Sequence, residues 1–328
     1  VRAFEITEVD GKLNCEVRDV ELVQLEPTDV LVKVDYSGVN FKDALVASAP
    51  SRVRRLDKVI GGVDAAGTVV VSSNPQLRIG TRVAVHGGDL GVGRDGGFAE
   101  FVSAPSHFLS PLPSSITTRD AMIIGTAGFT AMASILALEA HGLDVDARVL
   151  VTGATGGVGS VAVTLLAARG YQPVASTGSA NEAAWLHERG AVEVIGRDEI
   201  SDKPERVLGT ARWAAAIDCV GGDTLQQILR SLRYGGSVAA SGLVASADLV
   251  TTVYPFITRA VNLLGIDAVD ATTSTRERVW TALGDTADNV DFAPLVGREI
   301  TLEQLPAAFD SIRNSSTRGR ILVNPTPG

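Results

Sequence analysis

The chain reads as an α/β protein in two parts, a β-rich region followed by a parallel sheet covered by helices, and three observations carry that reading. Residues 1 to about 118 contain short β-branched runs bounded by Gly, Pro, Asn and Ser, with little helical periodicity. From Thr117 to about Leu264 strand-like and helix-like segments alternate, the pattern of a parallel sheet with both faces covered. Between Val149 and Gly159 an apolar run meets glycines at 153, 156, 157 and 159, and Val158, Val161, Ala162, Leu165 and Leu166 then recur at helical spacing.

In the first part the strand candidates are Val30 to Tyr36, Gly67 to Val71 and Thr81 to Val85, and the polar cluster Tyr36 to Asp43 opens a short helix. Pro105, Pro111 and Pro113 mark the change of texture. A long apolar helical stretch from Thr118 to Leu138 is interrupted at Gly125 to Gly128. Tyr171 to Ser176, Val192 to Ile195, Ala214 to Val220, Gly236 to Leu243 and Val261 to Asp267 follow as strands, with Pro173 near the start of its strand and a helix over Asp223 to Arg233. Beyond Ala268 come two amphipathic segments, Ser274 to Leu283 and Leu302 to Arg313. A last strand, Ile321 to Asn324, needs a sheet and returns to the first part.

At 328 residues with 45% apolar residues the chain supports two domains with substantial cores. A net charge of −9 argues against nucleic acid or an anionic membrane as partner. The apolar stretches read as shorter than about 20 residues, and the start Val1-Arg-Ala-Phe-Glu5 lacks a signal-peptide core, which makes the cytoplasm the expected compartment. Cys15 and Cys219 form no CxxC pair, and His86, His107, His141 and His187 are scattered, so no metal site is expected.

The glycine turn predicts a dinucleotide site. Gly153 permits the turn, Gly156 and Gly157 leave backbone N–H groups open to a pyrophosphate, and Gly159 brings the helix close; Thr155 and Val158 belong to the same cradle. No Gly-Lys-Ser/Thr closes the turn, which excludes a P-loop. No acid occurs from Ser160 through Asn181, where an NAD-binding unit carries one for the ribose hydroxyls. The second strand ends instead in the hydroxyl-rich cup Ser176, Thr177, Gly178 and Ser179, which accommodates a 2′-phosphate; NADPH is the expected cofactor, with Arg197 as the cation.

Ala154-Thr-Gly-Gly-Val-Gly159 resembles the zinc-independent quinone-oxidoreductase branch of the medium-chain dehydrogenase/reductase superfamily. Asn40-Phe-Lys-Asp43, Ala121 to Met132, Thr152 to Ser160, Ile217-Asp218, Tyr234-Gly-Gly236, Pro255-Phe256 and Gly319-Arg320 resemble its acryloyl-CoA reductase subgroup. That resemblance implies a Rossmann NADP-binding domain over 119–267 and a discontinuous GroES-like catalytic domain over 1–118 and 268–328. Zinc members carry Cys and Gly-His-Glu where this chain has Asn40 and Gly62-Val63-Asp64. It departs from the subgroup in having Phe41 for Tyr and Ser179 for Arg.

The implied activity is hydride transfer from NADPH to the β carbon of a 2-enoyl-CoA. A quinone or enone reductase and a non-catalytic dinucleotide-binding protein stand as alternatives. Asn40 is expected to donate to an oxyanion, oriented by Lys42 and Asp43, against the plain reading of a capped helix start. Phe41 and Arg320 are assigned to the substrate, Arg320 toward a CoA phosphate or the cofactor, with a structural ion pair as its competing role. Thr126, Asn314, Gly242 and Leu243 are assigned to the cofactor. Asp218 is a ligand or a loop cap, His86 is structural, and Met122, Phe129, Met132 and Trp213 are packing residues. The resemblance also implies a homodimer joined through sheet edges.

Overall fold

The computed structural model describes residues 1–21, 29–200 and 207–326. In chain order the first elements are β1 (Arg2–Val9), β2 (Lys12–Asp19), β3 (Asp29–Val39), α1 (Phe41–Val46), β4 (Lys58–Ile60), β5 (Asp64–Val71), β6 (Arg82–His86), β7 (Phe101–Pro105), β8 (Leu109–Pro111) and α2 (Thr118–Ala140). The middle of the chain forms β9 (Arg148–Val151), α3 (Gly157–Ala168), β10 (Gln172–Thr177), α4 (Ala183–Glu188), β11 (Glu193–Gly196), β12 (Trp213–Asp218), α5 (Gly222–Ser231), β13 (Leu232–Ala240), α6 (Tyr254–Arg259) and β14 (Asn262–Gly265). The last elements are α7 (Thr273–Ala287), β15 (Val296–Ile300), α8 (Leu305–Arg313) and β16 (Arg320–Val323).

These elements form two compact units, Val1–Ala127 with Ala268–Gly328, and Gly128–Asp267. In the first, β15, β16, β3, β5, β6 and β8 lie side by side with β7 also on β3, and β2, β1 and β4 make a small second sheet. Val30, Val32 and Val34 alternate inward from β3 against Val83, Val85 and Val102, which places the period-two pattern of the sequence on one buried face. The C-terminal strand pairs antiparallel with β3, Ile321 opposite Val39 and Leu322 opposite Gly38. A second core joins the two ends of the chain: Phe4, Phe98 and Phe309 pack with centroids 5.9–6.4 Å apart, beside Leu302, Leu305 and Ile321. Each such side chain contributes about 1.5–3 kcal/mol of burial.

His86, at the end of β6, is buried under α7, where Arg276 donates to its carbonyl at 2.9 Å and reaches Nδ1 at 3.0 Å. Burial first, and the Arg276 charge second, push its pKa well below the ordinary range, so the ring is neutral and serves packing.

In the second unit six strands run parallel in the order β11-β10-β9-β12-β13-β14. Counted from β9 this is 3-2-1-4-5-6, the doubly wound order whose ligand crevice opens at the carboxyl ends of the first and fourth strands. Pro173 is the second residue of β10, where one missing ladder donor is tolerated. Leu150, Val174, Ile195, Trp213, Ala216, Ile228 and Val238 form the core.

One expectation is corrected. The interruption expected from Gly125 to Gly128 is confined to Gly125 (φ 51°, ψ −162°), so α2 spans 23 residues and, with a mean hydropathy of 1.9, has the length and composition to cross a membrane; 78% of that window is buried in the protein. The first compact unit runs on to Ala127, past the kink, because the first two turns of α2 lie beside the groups of β3, β5 and β16 described next.

Candidate active site and coenzyme cradle

The polar centre of the first unit is Asp64, the fully buried first residue of β5. Its carboxylate accepts from the Gly38 N–H at 3.1 Å, the Asn40 Nδ2 at 2.8 Å and the Thr126 N–H at 2.8 Å. That last donor is a backbone group released from the helical ladder by the kink one residue earlier. Arg320, the first residue of β16 and only 2% exposed, brings Nη2 to 4.0 Å from the same carboxylate. Its other nitrogens donate to the Ile123 carbonyl at 3.0 Å, the Val39 carbonyl at 3.4 Å and the Asn40 Oδ1 at 3.2 Å.

Glycine makes this approach sterically feasible. A methyl group at Gly125 would fall 2.6 Å from Arg320 Nη2 and 2.8 Å from Asp64 Oδ2; one at Gly38 would fall 2.9 Å and 3.0 Å from the same two side chains. Gly125 also holds a φ/ψ pair that side-chain-bearing residues do not adopt.

Asn40 is therefore clamped on both ends of its carboxamide. The oxygen faces the Arg320 donor, while Nδ2 faces Asp64, makes a long 3.4 Å contact to the Gly38 carbonyl and also interacts with the Asp43 carboxylate. Asp64 and Arg320 thus dictate which way the amide points. Below it Asp43, also buried, accepts the backbone N–H of Asn40 at 2.7 Å and of Val63 at 2.9 Å. Burial, then the Asp64 charge, push its pKa up to about 7, against the lowering effect of the two backbone N–H donors and of the Asn40 side chain.

Asp43, expected to orient Asn40, turns its carboxylate to the backbone N–H groups of Asn40 and Val63. Arg320, for which a phosphate contact and a structural ion pair are the two expected roles, has its guanidinium enclosed beside Asp64, Asn40 and two carbonyls. The N–H of Thr126 goes to Asp64. Phe41 and Lys42 occupy the first turn of α1, Phe41 exposed and Lys42 half-buried, while Asn314 is the exposed C-cap of α8. Asp64 and Gly125 were not singled out as site residues from the sequence. The available signal was a lone acid opening the apolar run of β5 and a lone arginine opening that of β16, charges that burial obliges to find each other.

In the second unit the predicted turn links β9 to α3. Gly153 has φ +60°, and a methyl group at Gly159 would lie 2.4 Å from the Gly153 carbonyl oxygen. Gly156 is the N-cap of α3, no side chain caps the helix, and its first turn holds no acid, so the N–H groups at Gly157 and Val158 are open to an anion. At the end of β10, Thr177 Oγ1 accepts the Ser179 N–H at 3.0 Å and stands 3.5 Å from Thr155 Oγ1, which joins turn and cup. The exposed Arg197 lies against Gly178, where a methyl group would sit 2.5 Å from its Nε. Ser176 is buried in the strand.

Asp218, ending β12, accepts from Thr152 Oγ1 at 2.6 Å and from the N–H groups of Val220 and Gly221, which identifies it as a loop cap. Gly242 packs on the Cys219 carbonyl, leaving no room for a Cβ, and Leu243 is exposed beside it. These groups fit a dinucleotide: open N–H donors for a pyrophosphate and an acid-free, cation-bearing cup for a phosphorylated ribose. Among the described residues no group of three or more His, Cys, Asp or Glu is placed to hold a metal ion.

Comparison with known proteins agrees with both halves. The family described as alcohol dehydrogenase GroES-like domain matches residues 26–114, and that described as zinc-binding dehydrogenase matches residues 157–285. The acrylyl-CoA reductase AcuI of Ruegeria pomeroyi is 40% identical over 318 residues, covering 97% of this chain and 96% of that protein. The crystal structure of the yhdH oxidoreductase from Salmonella enterica in complex with NADP superposes with a TM-score of 0.94 at 40% identity, covering 99% of this chain and 100% of that one. That of Bacillus subtilis yhfP with NAD bound superposes with a TM-score of 0.95 at 41% identity, covering 98% of each. A clamped asparagine where zinc relatives carry a ligand, an uncapped glycine turn and these full-length likenesses lead to one conclusion: the chain belongs to the medium-chain dehydrogenase/reductase superfamily, in the acryloyl-CoA reductase-like subgroup of its zinc-independent quinone-oxidoreductase branch.

Proposed function

We propose that this chain is an NADPH-dependent reductase acting on the conjugated C=C of a 2-enoyl-CoA such as acryloyl-CoA. The observation that carries the proposal is the Asn40 carboxamide, fixed by Asp64 and Arg320 with Nδ2 also 3.4 Å from the Gly38 carbonyl. A thioester oxygen gaining charge is a better acceptor than that distant carbonyl, and a preorganised donor is worth about 10²–10³ in turnover. The bound coenzyme supplies the hydride that the β carbon receives. The protein's share is to hold the acceptor's oxygen at Asn40 and to keep that amide from rotating, with Phe41 beside the acyl group and Lys42 on the same turn.

The coenzyme is held by Thr155, Gly156, Gly157 and Val158 at its pyrophosphate, and by Ser176, Thr177, Gly178, Ser179 and Arg197 at its 2′-phosphate. Thr126, Gly242, Leu243 and Asn314 complete the set as proposed contacts. The absence of any acid from Ser160 through Asn181 and the guanidinium over Gly178 support NADPH over NADH. In this reading residues 1–118 and 268–328 form the catalytic domain and 119–267 the nucleotide domain.

The protein works as a homodimer through the β14 edge, where the sheet ends and Leu263, Tyr254 and Ile257 expose apolar surface. It acts in the cytoplasm, which suits two cysteines without disulfide partners.

Steady-state oxidation of NADPH with acryloyl-CoA, crotonyl-CoA and a benzoquinone tests the proposal. Turnover of the thioesters, reduced about a hundredfold in Asn40→Ala, is the expected result. Turnover with the quinone alone would establish the quinone or enone reductase instead, and tight NADPH binding without turnover of any acceptor would mark a binding protein.

A further inference from the structure

The loop that follows α1 is basic in an acidic protein. Residues 51–58 carry Arg52, Arg54, Arg55 and Lys58 against the single acid Asp57, in a chain of net charge −9. The structure divides these cations by task. Arg54 is almost fully buried, pairs with Glu8 and donates to the Val46 carbonyl at 2.6 Å, so it ties the loop to the end of α1. Lys58 pairs with Glu5. Arg52 and Arg55 are exposed, and among the described residues neither makes an ion pair or a side-chain hydrogen bond.

The loop presenting them is firmly built. Ser51 Oγ donates to the Leu45 carbonyl at 2.9 Å and accepts the N–H groups of Val53 and Arg54 at 3.2 Å and 3.0 Å. Arg55 is anchored by its own N–H on the Val92 carbonyl at 2.9 Å. From across the fold Arg313 donates to the Ala44 and Ala47 carbonyls at the end of the same helix.

Asn40 caps the opposite end of α1. The helix is six residues long, a rise of about 9 Å. A pantetheine arm, extended like four residues of chain, reaches roughly 14 Å. Laid along α1, a thioester whose carbonyl rests on Asn40 is long enough to bring its phosphates past the far end of the helix, where the loop of Arg52 and Arg55 begins. Phe41 and Leu56, each 42% exposed, offer apolar surface at the two ends of that path.

We propose that Arg52 and Arg55 bind the phosphates of the coenzyme A moiety, which makes this loop the element that selects CoA thioesters over smaller conjugated acceptors. The inference rests on the thioester reading above and deepens it. Two guanidiniums with no partner among the described residues, held on a pinned loop, are suited to forked hydrogen bonds with phosphate oxygens. Their separation from Asn40 lets them act on binding and leave the chemical step unchanged.

The test uses the full-length protein and the double variant Arg52→Ala/Arg55→Ala, with Arg52→Lys/Arg55→Lys as a charge-keeping control and thermal melting to show that both fold. Calorimetric titration with free CoA is expected to show affinity lowered about tenfold to a hundredfold in the alanine variant, partly restored in the lysine variant, with the wild-type affinity falling as salt is raised. KM for acryloyl-CoA should rise by the same factor at constant kcat, while KM for acryloyl-pantetheine, which has the same acyl group and no phosphates, stays at the wild-type value. Unchanged CoA affinity in the alanine variant overturns the inference. So does a loss that falls on NADPH instead, because the arginines would then serve the coenzyme. If no thioester is reduced but CoA binding still depends on the two arginines, the reductase proposal fails and the phosphate site stands.

Discussion

Replacing Asp64 by Asn changes one oxygen to an NH₂ group at constant volume, and the structure allows the consequence to be worked out. The carboxylate receives three N–H donors, from Gly38, Asn40 and Thr126, and faces the Arg320 charge. The amide can keep its oxygen toward Asn40 and Thr126 only by turning NH₂ at the Gly38 N–H, which loses its acceptor at a cost of about 1–3 kcal/mol. Arg320 loses its nearest opposite charge; removal of one member of a buried pair costs about 3–5 kcal/mol. The low end applies, because Asp43 also attracts Arg320 and is itself relieved of the Asp64 charge. A net loss of about 4 kcal/mol lowers the melting temperature of a unit of this size by roughly 8–16 °C. Calorimetry at pH 7 measures it, and a double-mutant cycle with Arg320→Met should show a coupling of about 2 kcal/mol or more. Melting within 2 °C of wild type, or single effects that simply add, would refute the account of a mutually dependent buried pair.

Asp43→Asn probes the raised carboxyl. A folded-state pKa of about 7 against an ordinary 3.8 means that the folded protein holds more protons between those values, so this group's contribution to stability is full below pH 4 and is lost as pH rises to 7. The variant lacks that dependence, and its deficit relative to wild type in urea titrations should shrink from pH 4 to pH 7; a constant deficit would contradict the assignment. Arg197→Ala should raise KM for NADPH about tenfold and leave that for NADH unchanged, measured as initial rates with either coenzyme; equal losses for both would remove Arg197 from the 2′-phosphate. Gly125→Ala places a Cβ against Arg320 and Asp64 at a forbidden φ/ψ, and a loss of about 3 kcal/mol in denaturant unfolding is expected; a neutral substitution would mean that the kink is not required.

The architecture was legible because its signals are local. Glycines at 153, 156, 157 and 159 between an apolar run and a helical repeat specify strand, turn and helix within a few residues, and the acid-free stretch after Ser160 identifies the chemistry of the cup without reference to distant groups. The last strand was placed by a similar economy, since the three apolar residues after Arg320 need a sheet to satisfy their backbone. Even the family was readable from short segments around Asn40, Ala121 and Thr152.

What the sequence by itself determined is thus the order of the elements, the doubly wound half and the nature of its ligand. Only tertiary structure decided what the charged residues do. The sequence leaves Arg320 between a phosphate contact and a structural ion pair, and names Asp43 only as a group orienting Asn40, because an isolated acid or arginine in a motif carries no mark of its partners. Folding buries both, adds Asp64 and the N–H freed at Gly125, and turns them into the frame around Asn40. Periodicity is a property of neighbours along the chain, whereas the pairing of buried charges depends on which distant residues the sheet brings together, and no local pattern records that distance.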